Sequence, residues 1–378
     1  MRWSLSCCAR PEFNSEPLPP IEKRPVPDAS TPLMPPILLS LIALSAALAV
    51  SALATRWLSA RTYARLVDQP NERSLHQAPV PRSGGLGLLA GLLVSLGVLT
   101  VAGWREPELA WLGLAAVLVA GVSLWDDFGH VSWRLRFAVH GAAALILAAA
   151  GFLWHSLDLP GIHWPFPAAL AWVLTLLYVV WMINLYNFMD GMDGFAGGMA
   201  LFGFGALAVL GWRGGEPLFA LTAACVAASA AGFLIRNFPP ARIFLGDLGS
   251  STLGLLAAGL SLWGVRLGLF PLWAAWLAFS PFIVDATWTL IRRLLKGERV
   301  WVAHRSHHYQ RLVLAGWGHR KTVLRSYLVM AGAAVCAVAA PALPTSDQRI
   351  LIVAWAGIYL LIHARVRLAE RHPSPDHT

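Results

Sequence analysis

From residue 35 onward the sequence is a succession of long apolar runs separated by short polar clusters. Each run is long enough to cross a hydrocarbon core of about 30 Å as a helix. The runs fall at residues 37–57, 85–101, 109–125, 137–154, 168–188, 195–212, 217–235, 248–265, 267–291, 323–340 and 350–365. A backbone that leaves water must satisfy its own polar groups, so the pattern predicts an all-α polytopic integral membrane protein with about 10–11 transmembrane helices. Residues 1–33 are polar and rich in proline, and read as a disordered tail with Met34 as the expected translation start. The transmembrane domain is expected over 34–368, and a short cytoplasmic tail over 369–378.

Composition strengthens this picture: of 378 residues 57% are hydrophobic and only 13% charged, outside the range of a soluble domain. The formal charge of +9 raises the question of nucleic acid, but the arginines lie in short loops and form no contiguous patch. No nucleic-acid partner is expected. Membrane orientation accounts for them instead: with the first span running inward, cytoplasmic loops collect about 21 of the 29 Lys and Arg residues. The C-terminus and the motif-bearing loops are then cytoplasmic. The four cysteines show neither metal nor disulfide spacing.

Five polar clusters on that face carry the candidate chemistry. The first, from Asp68 to Gly85, is rich in proline and glycine, and offers Arg73, His76 and Arg82 to a phosphate. The second places Asp126 and Asp127 at the end of the third span. Adjacent acids on a helix point in different directions, so one can bind a metal while the other takes a proton or positions a substrate. Lys or Arg would suit a plain helix end better, which argues against a merely structural pair.

The third cluster, N-L-Y-N-F-M-D-G-M-D-G, spaces Asn184, Asn187, Asp190 and Asp193 at intervals of three with no basic residue inside. Acids at the negative end of a helix need a partner, and hard oxygen ligands suit Mg2+, with Mn2+ as the alternative. In the fourth, Asn237 opens a loop that leads through Phe244 to Asp247. A carboxylate at a helix N-terminus is favourable without a metal, and Phe244 offers a stacking surface for a planar base. The fifth, A-H-R-S-H-H-Y-Q-R, places His304, His307 and His308 at helical i, i+3 and i+4 spacing, with Arg311 following on the same face. Zinc ligation is open to three such histidines, but the flanking arginines favour an anion-binding surface.

Taken in order, D-x-P-N-x-R-x-x-H-x-x-P-x-P-R-x-G-G, the D-D pair, N-x-x-N-x-x-D-G-x-D-G, N-x-x-P-A-x-I-F-x-G-D-x-G-S and H-R-x-H-H-Y-Q form a specific set. The chain resembles the polyprenyl-phosphate N-acetylhexosamine-1-phosphate transferases, of glycosyltransferase family 4 type. That family includes the bacterial enzymes that initiate O-antigen and the phospho-MurNAc-pentapeptide transferase of peptidoglycan synthesis. His304 stands apart from His307 and His308 where the peptidoglycan enzyme has an uninterrupted triplet, so the resemblance is nearer to the O-antigen branch.

The resemblance implies attack by undecaprenyl phosphate on a UDP-N-acetylhexosamine, with release of UMP, in the bacterial inner membrane. It further implies Asp247 as Mg2+ ligand, with Asp126 and Asp127 by the lipid phosphate and metal, Asp127 being the second ligand, and Asp190 assisting catalysis. By the same resemblance Asn187, Asp193, Asn237 and Phe244 lie on the substrate side, the last three as uridine contacts, and His304, His307 and His308 contact diphosphate or sugar. Arg311, Arg73 and His76 complete the expected substrate-binding set, and a homodimer is left open. A lipid-phosphate transporter is the rival class, but it predicts charges at mid-span and repeat symmetry, whereas the acids here sit at span ends.

Overall fold

The computed structural model describes residues 36–61, 66–68, 79–129, 131–299 and 304–372. The apolar runs fold as α1 (Pro36–Ser59), α2 (Gly84–Val101), α3 (Pro107–Phe128), α4 (Trp133–Ala149), α5 (Ala168–Phe188), α6 (Phe195–Arg213), α7 (Pro217–Asn237) and α8 (Gly246–Arg266). They continue as α9 (Leu272–Ala278), α10 (Ser280–Leu295), α11 (His308–Leu312), α12 (Gly318–Ala339) and α13 (Thr345–Arg371). Two small antiparallel pairs accompany them: β1 (Val67–Asp68) with β2 (Val80–Pro81), and β3 (Ser156–Leu159) with β4 (Ile162–Pro165). The protein is an all-α polytopic membrane protein; among the described residues 9 helices are long and apolar enough to cross a membrane, or up to 10 with one bent pair counted as a span.

Two expected spans are corrected. The run 267–291 is not one helix: α9 and α10 meet at a bend of 86°. Pro281 lies in the first turn of α10, where its missing N–H costs nothing but where a helix arriving from α9 cannot continue through it. The run 137–154 is displaced toward the N-terminus, because α4 already starts at Trp133 and is 17 residues long. Gly151, at φ +87°, turns the chain out of the helix toward the β3–β4 hairpin. The expected tail 369–378 begins too early, since α13 continues to Arg371, while the expected tail 1–33 lies outside the described residues.

The core is built around α8, whose most apolar stretch is 94% buried, against 11% for α13. Small residues allow that enclosure: a Cβ on Gly254 would lie 2.4 Å from the carbonyl oxygen of Met182 on α5, and one on Gly85 of α2 would lie 2.5 Å from the backbone nitrogen of Gly249. Lipid tails are as apolar as the side chains, so close backbone approach supplies contact that hydrophobicity cannot. Bulky apolar side chains such as Leu53 on α1 and Val353, Leu360 and Leu361 on α13 face outward instead. The N-termini of α2, α4 and α8 meet the C-termini of α3 and α7 at one end of the bundle, and the described residues of the five polar clusters lie there. The β3–β4 hairpin lies at the other end, where Arg349 Nε donates to the Pro160 carbonyl at 3.0 Å.

Candidate active site

The site is organised on the first turn of α8. Its N–H groups have no partner within the helix, and Asp127 at the end of α3 supplies one: Oδ1 accepts from Asp247 N at 3.1 Å and Oδ2 from Leu248 N at 2.9 Å. The negative charge also suits the positive end of the helix dipole. Gly246 makes the turn possible, with φ at +75° and no room for a side chain, since a Cβ would lie 2.4 Å from Arg82 O and 3.1 Å from Asp127 Oδ2. Arg82 closes the other side, its Nη2 donating to the Asp127 carbonyl at 2.8 Å.

Asp126 points away from its neighbour. Its Oδ1 accepts from Val131 N at 2.9 Å, and its Oδ2 pairs with Arg136 Nη1. The same nitrogen reaches Asp247 Oδ2 at 3.1 Å, so one guanidinium bridges carboxylates from the second and fourth clusters. Asp190, in the loop between α5 and α6, is half-buried, and its carboxylate has no hydrogen bond or ion pair among the described residues. Burial, with the charges of Asp247, Asp127 and Asp68 adding to it, pushes its pKa up to about 8.

The third and fourth clusters are bolted together. Asn237 is buried and spends both ends of its amide, Oδ1 accepting from Gly194 N at 2.9 Å and Nδ2 donating to Ile243 O at 2.8 Å. Asp193 Oδ2 accepts from Ala241 N at 2.9 Å, and its Oδ1 lies 3.0 Å from His319 Nδ1. Asn187 Nδ2 donates to Ser251 Oγ at 3.2 Å. Phe244 is half-buried, and its backbone pairs with the first cluster: its N–H donates to Pro81 O and its carbonyl accepts from Gly84 N. Asn237 therefore shapes the loops rather than presenting free donors.

The fifth cluster corrects the helical reading of the histidines. His304 and His307 precede α11, so only His308 and Arg311 share its turn. The Nδ1 of His308 lies 2.8 Å from Asp285 Oδ1, and its Nε2 lies 2.9 Å from His363 Nδ1. Arg311 forms a fork on Glu370 of α13, with both contacts at 2.6 Å. His304 Nδ1 lies 2.8 Å from Ser306 Oγ, and burial, helped by the nearby His307 and Arg293, lowers its pKa to about 4. Tyr309 joins this cluster to the third, packing on Phe195 at 4.7 Å between ring centres. A Cβ on Gly191, beside Asp190, would lie 2.3 Å from the Tyr309 hydroxyl. Arg73 and His76 lie outside the described residues.

Sequence reasoning overlooked Arg136, Asp285, His319 and Glu370 as site residues. Arg136 carried a signal, a cation ten positions after Asp126 at the start of the next span. Asp285 lies within an apolar run, where an acid is costly unless it has a partner.

Carboxylates of Asp126, Asp127, Asp190 and Asp247 thus share one end of the bundle with two guanidinium groups. The donor set is all oxygen and under-neutralised, which fits a hard divalent cation. Among the described residues no three His, Cys, Asp or Glu side chains form a ready cage. A cation that keeps waters and takes substrate phosphates as ligands needs no such cage.

The fold and site define a multi-pass membrane protein with a cluster of four carboxylates and two guanidinium groups at one end of its helices. The glycosyl transferase family 4 model matches residues 109–265, from α3 to α8 and including the second, third and fourth clusters. A "Probable undecaprenyl-phosphate N-acetylglucosaminyl 1-phosphate transferase" of Bacillus subtilis (strain 168) is 32% identical over 266 residues, covering 70% of this chain and 74% of its own. The "Decaprenyl-phosphate N-acetylglucosaminephosphotransferase" of Mycobacterium tuberculosis (strain ATCC 25618 / H37Rv) is 33% identical over 331 residues, covering 77% and 79%. An "Undecaprenyl-phosphate alpha-N-acetylglucosaminyl 1-phosphate transferase" of Escherichia coli (strain K12) is 27% identical over 266 residues, covering 68% and 71%. The chain belongs to glycosyl transferase family 4, among the polyprenyl-phosphate N-acetylhexosamine-1-phosphate transferases.

Proposed function

We propose that the chain transfers N-acetylhexosamine 1-phosphate from a UDP-sugar to undecaprenyl phosphate at the cytoplasmic face of the bacterial inner membrane, releasing UMP. The observation that carries this reading is the meeting of Asp126, Asp127, Asp190 and Asp247 at one membrane-facing end, with one guanidinium held between two of them. A phosphate monoester oxygen of the acceptor attacks the β-phosphorus of the UDP-sugar. A new phosphoanhydride bond forms as the old one breaks, and the electron pair leaves on UMP. One anhydride replaces another, so the task is positioning and charge neutralisation rather than driving force.

Mg2+, or Mn2+, would be held by Asp247 and a free lone pair of Asp127, and would supply neutralisation of the diphosphate. Arg136 orients the Asp126 and Asp247 carboxylates. Asp190, whose pKa burial and the neighbouring carboxylates push up to about 8, assists catalysis beside the acceptor phosphate. Phe244 offers its ring to the uracil. In the fifth cluster, His304 and His307 are placed to donate to diphosphate or sugar, with His308 fixed behind them by Asp285. The spacing of His304 from His307 and His308 favours initiation of O-antigen or a related surface polysaccharide over peptidoglycan synthesis.

The test is incubation of the purified protein in detergent with undecaprenyl phosphate and a panel of UDP-N-acetylhexosamines, with mass measurement of the lipid product. A lipid-linked diphosphosugar together with stoichiometric UMP is expected. Absence of both with every sugar in the panel, in the presence of Mg2+, overturns the reading.

A further inference from the structure

His140 lies on α4 one helical turn beyond Arg136, on the stripe that continues inward as Ala143, Ala144 and Leu147. Its side chain is only 3% exposed, and neither Nδ1 nor Nε2 has a hydrogen-bond partner among the described residues. The other histidines of the site lie against a partner: His308 against Asp285 and His363, His304 against Ser306, and the Nδ1 atoms of His307 and His319 at 3.6 and 3.0 Å from a carboxylate. A buried imidazole with an idle donor and an idle acceptor is costly, and such a group calls for a ligand that arrives later.

The position says which ligand. α4 starts at the site end and runs into the bundle, so four residues put His140 about 6 Å further into the membrane than Arg136. Nucleotide sugar approaches from water, on the outer side of the carboxylates. A phosphate carried on a lipid chain approaches from the bilayer, on the inner side. Resting on the function proposed above, we infer that His140 donates a hydrogen bond from one ring nitrogen to a phosphate oxygen of the polyprenyl phosphate acceptor, and so positions it beneath Arg136.

Thermal unfolding in detergent tests the binding without turnover. The probes are decaprenyl phosphate, decaprenol as the phosphate-free control, and UMP for the nucleotide side. Decaprenyl phosphate is expected to stabilise the wild type more than decaprenol does, and His140→Leu is expected to lose that difference while keeping its response to UMP. His140→Gln, with an amide near the Nε2 position, keeps most of it, and His140→Asn, with a shorter reach, does not. In turnover, His140→Leu should raise KM for the lipid about tenfold or more and leave KM for the UDP-sugar unchanged. Equal stabilisation of wild type and His140→Leu by decaprenyl phosphate overturns the inference. Should the Leu variant not fold, equal stabilisation of the Gln and Asn variants does the same. A wild type that responds to decaprenyl phosphate but makes no product with any UDP-sugar sinks the proposed reaction and leaves the His140 contact standing.

Discussion

Asp127 and Leu248, 121 residues apart in sequence, are joined by a hydrogen bond of 2.9 Å from the Leu248 N–H to Oδ2 of the buried carboxylate. Its other oxygen takes the N–H of Asp247, so one side chain from α3 caps the central helix of the bundle. An amide in its place accepts with only one oxygen and sets an N–H donor against an N–H donor. Asp127→Asn is therefore expected to lower stability by about 1–3 kcal/mol as well as to reduce turnover. Thermal unfolding in detergent, read beside UMP release, checks both parts. An Asp127→Asn protein with unchanged unfolding temperature would show that the cap contributes nothing.

Asp247 stands in the opposite position, with its carboxylate 35% exposed and paired with Arg136 at 3.1 Å. Asp247→Asn keeps the backbone N–H that Asp127 needs and loses the charge that a cation needs. Unfolding temperature should stay close to that of the wild type, while UMP release falls by at least about a hundredfold. EDTA should abolish wild-type turnover and Mg2+ restore it. Undiminished turnover in EDTA would remove the cation from the reaction.

Much of this arrangement is legible in the sequence because membrane spans leave few places for charge. The residues 168–188 are apolar without interruption, and α5 occupies them to the residue. The opposed directions of Asp126 and Asp127 follow from helix geometry alone. The break between α9 and α10 is not legible from hydropathy, since Pro281 lies in a run that is apolar on both sides and only packing decides whether such a proline kinks or ends a helix. The histidine spacing misleads for a related reason. Periodicity reports a helix only where one forms, and α11 begins at His308, after two of the three. The acids paired with His308 and Arg311, Asp285 and Glu370, come from distant helices, and no local pattern announces them.

Asp190, whose carboxylate has no partner among the described residues, makes stability depend on pH in a stated direction. Its pKa is raised from 3.8 to about 8, so between those values the folded state, free of divalent cation, binds the proton more tightly than the unfolded chain does. The contribution is fully present below the unfolded value and is lost as pH rises through about 8. In EDTA the unfolding temperature should fall from pH 5 toward pH 8.5, and Asp190→Asn should flatten that slope. Added Mg2+ should flatten it as well, by countering the neighbouring carboxylates. A slope identical in wild type and Asp190→Asn would assign the pH dependence to other groups.

Arg311 and Glu370 give a test of what the fifth cluster is for. The Arg311 side chain is 7% exposed and its fork is filled by Glu370, yet Nη1 is buried with no hydrogen-bond partner among the described residues. α13 has few buried side chains, and this pair, with His308 to His363 and Ser280 to Tyr359, ties it to the rest of the bundle. Glu370→Gln keeps the size of the side chain and removes the compensating charge. Because Glu370 is 41% exposed, water softens the loss, and a cost of about 1–2 kcal/mol is expected rather than that of a fully buried pair. The kinetic consequence separates two roles. If Arg311 is a strut that fixes α11, loosening it displaces His307 and His308, and KM for the UDP-sugar rises. If Arg311 is an anion ligand, freeing it from Glu370 strengthens its hold on the diphosphate, and the same KM falls. The bidentate geometry and the depth of the guanidinium favour the strut, so the expected outcome is a several-fold rise in KM for the UDP-sugar with a lower unfolding temperature.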